Sequence, residues 1–128
     1  MSILLDTDVF IDILRFRAQA EAWITTLQTP PLLSGVAALE VAFGARSARD
    51  LRDIRVVESR FRIVWPEATD MEQAAQQFAS LRLTHGIGGL DAVTAAIALR
   101  LNLTLATYNV KHFRSIQGLK TVQPYTRA

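Results

Sequence analysis

The chain has no cysteine. That excludes a disulfide framework, a thiolate metal site and a cysteine nucleophile, and it fits a reducing compartment. Histidine is confined to His85 and His112, and lysine to Lys111 and Lys120. Without cysteines or paired histidines there is no ligand set for zinc. No apolar run is long enough to span a bilayer, and the N-terminus has no basic region but meets an acid at position 6. A soluble, cytoplasmic protein without membrane contact is expected. Repeats, low-complexity tracts and linker-like stretches are missing as well, so residues 1–128 are expected to form one domain.

What is present is a globular composition, 50% hydrophobic and 20% charged, with a formal net charge of only +2. The informative stretch is Ile3-Leu4-Leu5-Asp6-Thr7-Asp8. Three apolar residues running into two alternate carboxylates read as a short buried strand that delivers acids to the edge of a sheet. In open α/β sheets ligands bind beyond the carboxyl ends of the strands, so Asp6 and Asp8 are site candidates by position and by chemistry. Either acid could instead cap the helix that follows. Two together exceed what a cap needs, and like charges this close repel unless a cation lies between them.

Helical spacing is evident from Val9 to Leu14 and from Phe16 to Leu27, ended by Pro30-Pro31. Leu32-Leu33-Ser34 is a second strand, and Ala37 to Ala45 a helix containing Glu40. Ser47 to Phe61 is the most charged part, where Arg46–Asp50 and Arg49–Asp53 at a spacing of four predict a solvated helix laced by surface pairs. Arg62 to Trp65 is a third strand. Thr69 and Glu72 have capping-box spacing for a helix to about Thr84, with Met71, Ala74, Ala75, Phe78 and Leu81 as its apolar stripe. His85 to Gly89, with three glycines, reads as a mobile loop. Leu90 to Leu99 is an apolar helix with Asp91 in its first turn, where the helix dipole alone favours an acid. Leu103 to Thr107 is a fourth strand, and Leu119 to Val122 a possible edge strand.

Short strands alternating with helices predict an α/β fold, a mostly parallel sheet of four to five short strands with helices on both faces. Asp6, Asp8, Asp91 and Asn109 would then lie at strand-end loops or first helical turns. Several carboxylates without soft ligands make a hard-oxygen site suited to Mg²⁺ or Mn²⁺. Such an ion activates water and neutralises charge on a reacting phosphate, while a carboxylate orients or deprotonates the water. With Asp6, Asp8, Glu40 and Asp91 set aside, fourteen bases face eight acids, a balance that attracts a polyanion.

At this point four stretches together resemble a known family. Leu4 to Asp12 resembles the opening motif of PIN-domain ribonucleases, especially the toxins of VapBC toxin–antitoxin pairs. Ser34 to Glu40 with Gly44 resembles the second motif, Asp91 to Ala98 the third, and Leu105 to Phe113 the fourth, in family order across nearly the whole chain. The resemblance implies a PIN-like fold and Mg²⁺- or Mn²⁺-dependent endonuclease action on RNA, as the toxin of a type II pair that inhibits translation or growth. It further implies inhibition by a cognate antitoxin and a homodimer. Asp6, Glu40 and Asp91 would be the acidic ligands, Asn109 would fill the fourth catalytic position, and Ser34 and Thr107 would give polar support.

Two departures stand out. Asp8 replaces the usual Asn or Ser of the first motif, and Asn109 stands where many members have Asp, so Asp8 is expected to supply part of the missing charge as a fourth metal ligand. His112 replaces an acid and could contact phosphate, although a histidine beside a turn is also an ordinary structural residue. Among other readings, a haloacid-dehalogenase-type phosphatase would use Asp6 as nucleophile but needs a downstream acid pair that the chain lacks. A response-regulator receiver needs an Asp ending the third strand, where Trp65-Pro66-Glu67 stands. An RNA-processing nuclease outside a toxin–antitoxin pair, or a non-catalytic RNA- or protein-binding module on the same fold, remains compatible.

Overall fold

The structure, a computed structural model, describes residues 2–127; the expected domain limits, 1 and 128, lie outside the described residues. Five strands form one sheet in the order β3-β2-β1-β4-β5, every neighbouring pair parallel. They are β1 (Ile3–Leu5), β2 (Leu32–Ser34), β3 (Ile63–Val64), β4 (Thr104–Ala106) and β5 (Lys120–Val122). The chain builds outward from β1 to β3 on one side, then returns to lay β4 and β5 on the other, so the order reverses between β1 and β4. That reversal opens a crevice at the carboxyl ends of these two strands.

Strand periodicity divides the core. Leu4 points to one face, packed with Leu105 and with Val93 and Ile97 of α7 (Gly89–Arg100). Ile3 and Leu5 point to the other, against Val9, Phe10 and Ile13 of α1 (Thr7–Leu14) and Ala37 and Val41 of α3 (Gly35–Phe43). Each fully buried aliphatic side chain contributes about 2 kcal/mol relative to exposure. The second face is completed by α2 (Ala18–Thr25) and α4 (Ala48–Glu58). Gly35 lets α3 start directly from β2, because a Cβ there would lie 2.6 Å from Trp65 Cε3 and 3.0 Å from its Cα. The expected sheet, with helices on both faces, is therefore present, and no helix among the described residues is long and apolar enough to cross a membrane.

Local details differ from the sequence reading. Phe16 does not open the second helix; it is 71% exposed with φ 54°, and the turn it makes after α1 delays α2 to Ala18. Neither expected arginine pair forms among the described residues. Asp50 lies in the first turn of α4, where its carboxylate accepts the Arg46 backbone N–H at 3.0 Å and its own N–H donates to the Ser47 hydroxyl. Exposed pairing four residues apart would have been worth little against these capping bonds. The Gly-rich segment is irregular only over 86–88: Gly86 ends α6 (Ala79–His85) in the left-handed region, Gly89 already belongs to α7, and Ile87 is buried at 2% exposure. An apolar anchor thus ties down a stretch whose composition suggests mobility.

The helix expected to start at Thr69 starts at Ala68, as α5 (Ala68–Gln73), and runs through a π-helical segment (Ala74–Phe78) into α6. Asp70, not Glu72, reaches back, accepting the Glu67 N–H at 2.8 Å, because its carboxylate is also gripped by Arg100 at 2.9 Å. Ala74 and Phe78 enter the core and Leu81 packs at its margin, whereas Met71 is 53% exposed: the π segment rotates the stripe away from it. Asp70→Ala should therefore destabilise the protein by about 1–2 kcal/mol, through loss of the cap on the Glu67 N–H and of the bonds from Arg100. Thr69→Ala should change stability by less than about 0.5 kcal/mol. Urea unfolding of both variants checks this, and the reverse ranking would restore Thr69 as the cap.

Candidate metal-dependent active site

Asp6 follows β1 directly and is the N-cap of α1, one carboxylate oxygen accepting the Thr7 N–H at 2.9 Å. The capping role considered from sequence is thus real, but it occupies one oxygen only. The other accepts the Thr107 hydroxyl at 2.8 Å, across the β1–β4 crevice. Asp8, in the first turn of α1, accepts the Tyr108 N–H at 2.9 Å and the Val9 N–H at 2.7 Å, with the Thr107 hydroxyl 3.4 Å away. Thr107 is fully buried and joins both acids to β4. Its oxygen also accepts the Asn109 N–H at 3.0 Å, shaping the turn before α8 (Val110–Phe113).

Electrostatic coupling shows which acids share the crevice. Burial pushes the Asp6 carboxyl up to about 7, with Asp8 the next cause and Asp91 a further one, against the Thr7 and Thr107 hydrogen bonds. Burial also raises Asp8, opposed first by the Tyr108 N–H. Asp91, in the first turn of α7, is raised by burial and then by Glu40 and Asp8, while His112 and the Gly88 amide act the other way. These influences tie Asp6, Asp8, Asp91 and Glu40 into one acidic cluster. Glu40 projects from α3 at the exposed rim and accepts the Thr7 hydroxyl at 2.8 Å.

The remaining expected residues divide. His112 is exposed but close enough to act on Asp91. Asn109 is exposed at the N-cap of α8, where its side chain makes no capping bond. Ser34 is fully buried at the end of β2 and its hydroxyl accepts the Val36 N–H at 3.2 Å, so it caps α3. Thr7 and Tyr108, neither picked out from the sequence, complete the site. Thr7 lies between two candidate acids, a signal available in the motif, whereas Tyr108 contributes a backbone N–H that no residue type announces.

The donor chemistry fits a hard divalent cation: carboxylate oxygens converge without a lysine or arginine side chain inserted among them, and burial, with repulsion added at Asp6 and Asp91, raises their pKa values. Among the described residues no three His, Cys, Asp or Glu close into an inner ligand set. Magnesium does not require one, since it commonly binds one or two carboxylates directly and keeps several waters.

Beside Glu40 and Thr7 the site opens into a cleft of about 1020 Å³, lined by Ile11, Phe16, Val41, Ile54 and Val56, with Arg15 and Arg46 among them. The profile of the PIN domain family matches residues 3–119. Ribonuclease VapC10 of Mycobacterium tuberculosis is 32% identical over 121 residues, covering 92% of this chain and 90% of its own length. A toxin–antitoxin complex from Klebsiella pneumoniae superposes with TM-score 0.78 at 28% identity, over 98% of this chain and 100% of that one. VapBC2 from Rickettsia felis, bound to a DNA fragment from its promoter, shares the fold with TM-score 0.81 at 21% identity, over 95% and 98% of the two chains. This chain belongs to the PIN domain family and is of the VapC type.

Proposed function

We propose that the chain is a Mg²⁺- or Mn²⁺-dependent endoribonuclease, the toxin of a type II pair that inhibits translation or growth by cutting RNA. One observation carries this reading: Asp6, Asp8, Asp91 and Glu40 are electrostatically coupled at the carboxyl ends of β1 and β4. The similarity to a ribonuclease supports RNA as the substrate. Asp6, Asp8, Glu40 and Asp91 would hold the cation, and Asp6, Glu40, Asp91 and Asn109 form the catalytic set. A bound divalent ion would neutralise these acids and the phosphate and make water a better nucleophile.

The chain's own groups then have separate tasks. Thr107 fixes the Asp6 carboxylate, and Thr7 fixes Glu40. Asp91, half-buried at the mouth and made more basic by burial and then by Glu40, takes the proton from the attacking water. His112 and the Asn109 amide lie at the exposed lip, where a phosphate can be contacted without stripping the site of charge. Arg15 and Arg46 in the adjoining cleft offer further phosphate contacts. The cognate antitoxin is proposed to occupy the apolar part of this cleft, since it opens directly onto Thr7 and Glu40 and since the structural relatives include toxin–antitoxin complexes. A cytoplasmic homodimer belongs to the same reading.

Asp91→Asn should lower RNA cleavage in Mg²⁺ or Mn²⁺ by about 10²–10⁴-fold with an unchanged circular dichroism spectrum. Asp8→Asn should weaken the apparent Mn²⁺ affinity, and Asn109→Asp should strengthen it. A folded, fully active Asp91→Asn would overturn the site assignment. Intact RNA binding without cleavage in either metal would favour the non-catalytic module.

Protonation gives a separate check. The Asp6 carboxyl titrates near 3.8 when unfolded and about 7 when folded. Between these values the folded state binds more protons, so its stability falls as pH rises through that window and the full penalty remains above it. Without divalent metal, Asp6→Asn should match the parent near pH 4 and exceed it above pH 7, by on the order of a few kcal/mol. Saturating Mg²⁺ should narrow or reverse that gap, because the parent gains more from the ion. Thermal melts at pH 4 and pH 8, with and without Mg²⁺, measure both effects.

A further inference from the structure

Outside the acidic cluster lies a second, differently built group of charges. Asp12 is on α1, one helical turn beyond Asp8, and is only 2% exposed. Its carboxylate accepts the Tyr125 hydroxyl at 2.7 Å and the Arg127 Nε–H at 3.0 Å, with Arg17 Nε 3.1 Å from its other oxygen. Arg127 extends further. Its guanidinium carbon lies 3.9 Å from the centre of the Tyr108 ring, and one of its nitrogens donates to the Asp8 carbonyl at 3.3 Å. Tyr108 in turn donates its hydroxyl to the Tyr125 carbonyl at 2.8 Å, and the two rings meet edge to face with centroids 5.5 Å apart.

These bonds join residues far apart in sequence and end on one atom of the site. Tyr108 is pinned by its hydroxyl and by the cation on its ring; its backbone N–H is the donor that fixes the Asp8 carboxylate. It also lies between Thr107, which holds Asp6, and Asn109. We propose that residues 125–127 are a strap, anchored on the buried Asp12, that positions the 107–109 loop and through it the Asp6–Asp8 wall of the site. Asp12, Tyr125 and Arg127 are positioning residues: they act through Tyr108 and, for Arg127, also through the Asp8 backbone carbonyl. A carboxylate in ordinary surface pairing would not need two arginines and a tyrosine hydroxyl. One buried as deeply as Asp12 does.

The strap also explains why the departing residue of the first motif tolerates its charge. Asp8 acts on the two other acids, Asp6 and Asp91, and the Arg127 guanidinium, bonded to the Asp8 carbonyl, supplies a cation on its far side. The ring of Tyr108 holds that guanidinium in place by cation–π attraction, an interaction that depends on the planar, delocalised charge of arginine.

The consequence for cation binding rests on the metal-dependent reading above, whereas the mechanical link to Tyr108 does not. The test uses the full chain, labelled with ¹⁵N, as wild type, Arg127→Ala and Tyr125→Phe, with two readouts: residue-resolved amide exchange and Mn²⁺ affinity for the metal alone. Arg127→Ala should speed exchange at the Tyr108 and Asn109 amides about tenfold or more while amides in β1 and α7 keep their protection. It should also weaken Mn²⁺ binding by about 10-fold, the lower end of the range for outer-shell partners of metal ligands. Tyr125→Phe, which removes one oxygen and keeps the packing, should shift both readouts in the same direction by less, and it decides the matter if Arg127→Ala does not fold. Unchanged Tyr108 exchange in the folded variants, or an acceleration shared equally by the core amides, would overturn the strap. Failure of the wild type to bind Mn²⁺, with Tyr108 exchange still responding to Arg127→Ala, would sink the metal reading and leave the strap standing.

Discussion

Repulsion among carboxylates is the constraint around which this structure is arranged. Asp6, Asp8 and Asp91 are partly or wholly withdrawn from water; burial makes each harder to ionise, and neighbouring acids add to this at Asp6 and Asp91. A protein selected for stability alone would separate such groups or place a lysine between them. Instead the donors that hold the acids, Thr7, Thr107 and the Tyr108 N–H, are neutral. Neutral donors fix direction without cancelling charge, so the cluster keeps its demand for a cation. The arginine charge is kept behind the site, on Arg127, and the rim carries His112.

The sheet supplies the convergence. Parallel strands send all their carboxyl ends to one edge, and the reversal between β1 and β4 leaves a gap there that no crossing helix fills. Asp6 and Thr107 face each other across the gap only because Leu5 pairs with Ala106 in register. A slip of one residue would turn Leu4 and Leu105 to the wrong face, so the same packing that buries the core fixes the distance between the two sides of the site. Glu40 and Asp91 come from helices that start close to that edge, α3 after β2 and α7 before β4.

Much of this is legible in the sequence, for identifiable reasons. β1 and β4 are buried on both faces, β1 as a continuous apolar run and β4 as one interrupted only by Thr104, and both end in polar residues, so Asp6, Asp8 and Thr107 are found together with their strands. Asp91 is found because glycines break the helix just before it. What the sequence hides is mostly decided by partners distant along the chain, with Ser34 a local exception. Asp70 displaces Glu72 as the reciprocal cap because Arg100, thirty residues away, holds it in place. Ser34 looks like a polar member of the site, yet the local N–H of Val36 claims its hydroxyl. Asp12 belongs to the same motif as Asp6, but its role is set by Tyr125 and Arg127, more than a hundred residues later. Spacing rules see neighbours at three or four positions, and none of these pairings lies within that range.

The acidic cluster makes a direct thermodynamic demand: a cation that binds must displace whatever proton Asp6 still carries. Calorimetric titration of the protein with Mn²⁺ at pH 7, repeated in buffers of different ionisation enthalpy, counts those protons. Because Asp6 is near half-protonated there, about half a proton should be released per ion, falling toward zero by pH 9. Mn²⁺ binding with no proton release at any pH, or no binding at all, would contradict a cation site centred on Asp6.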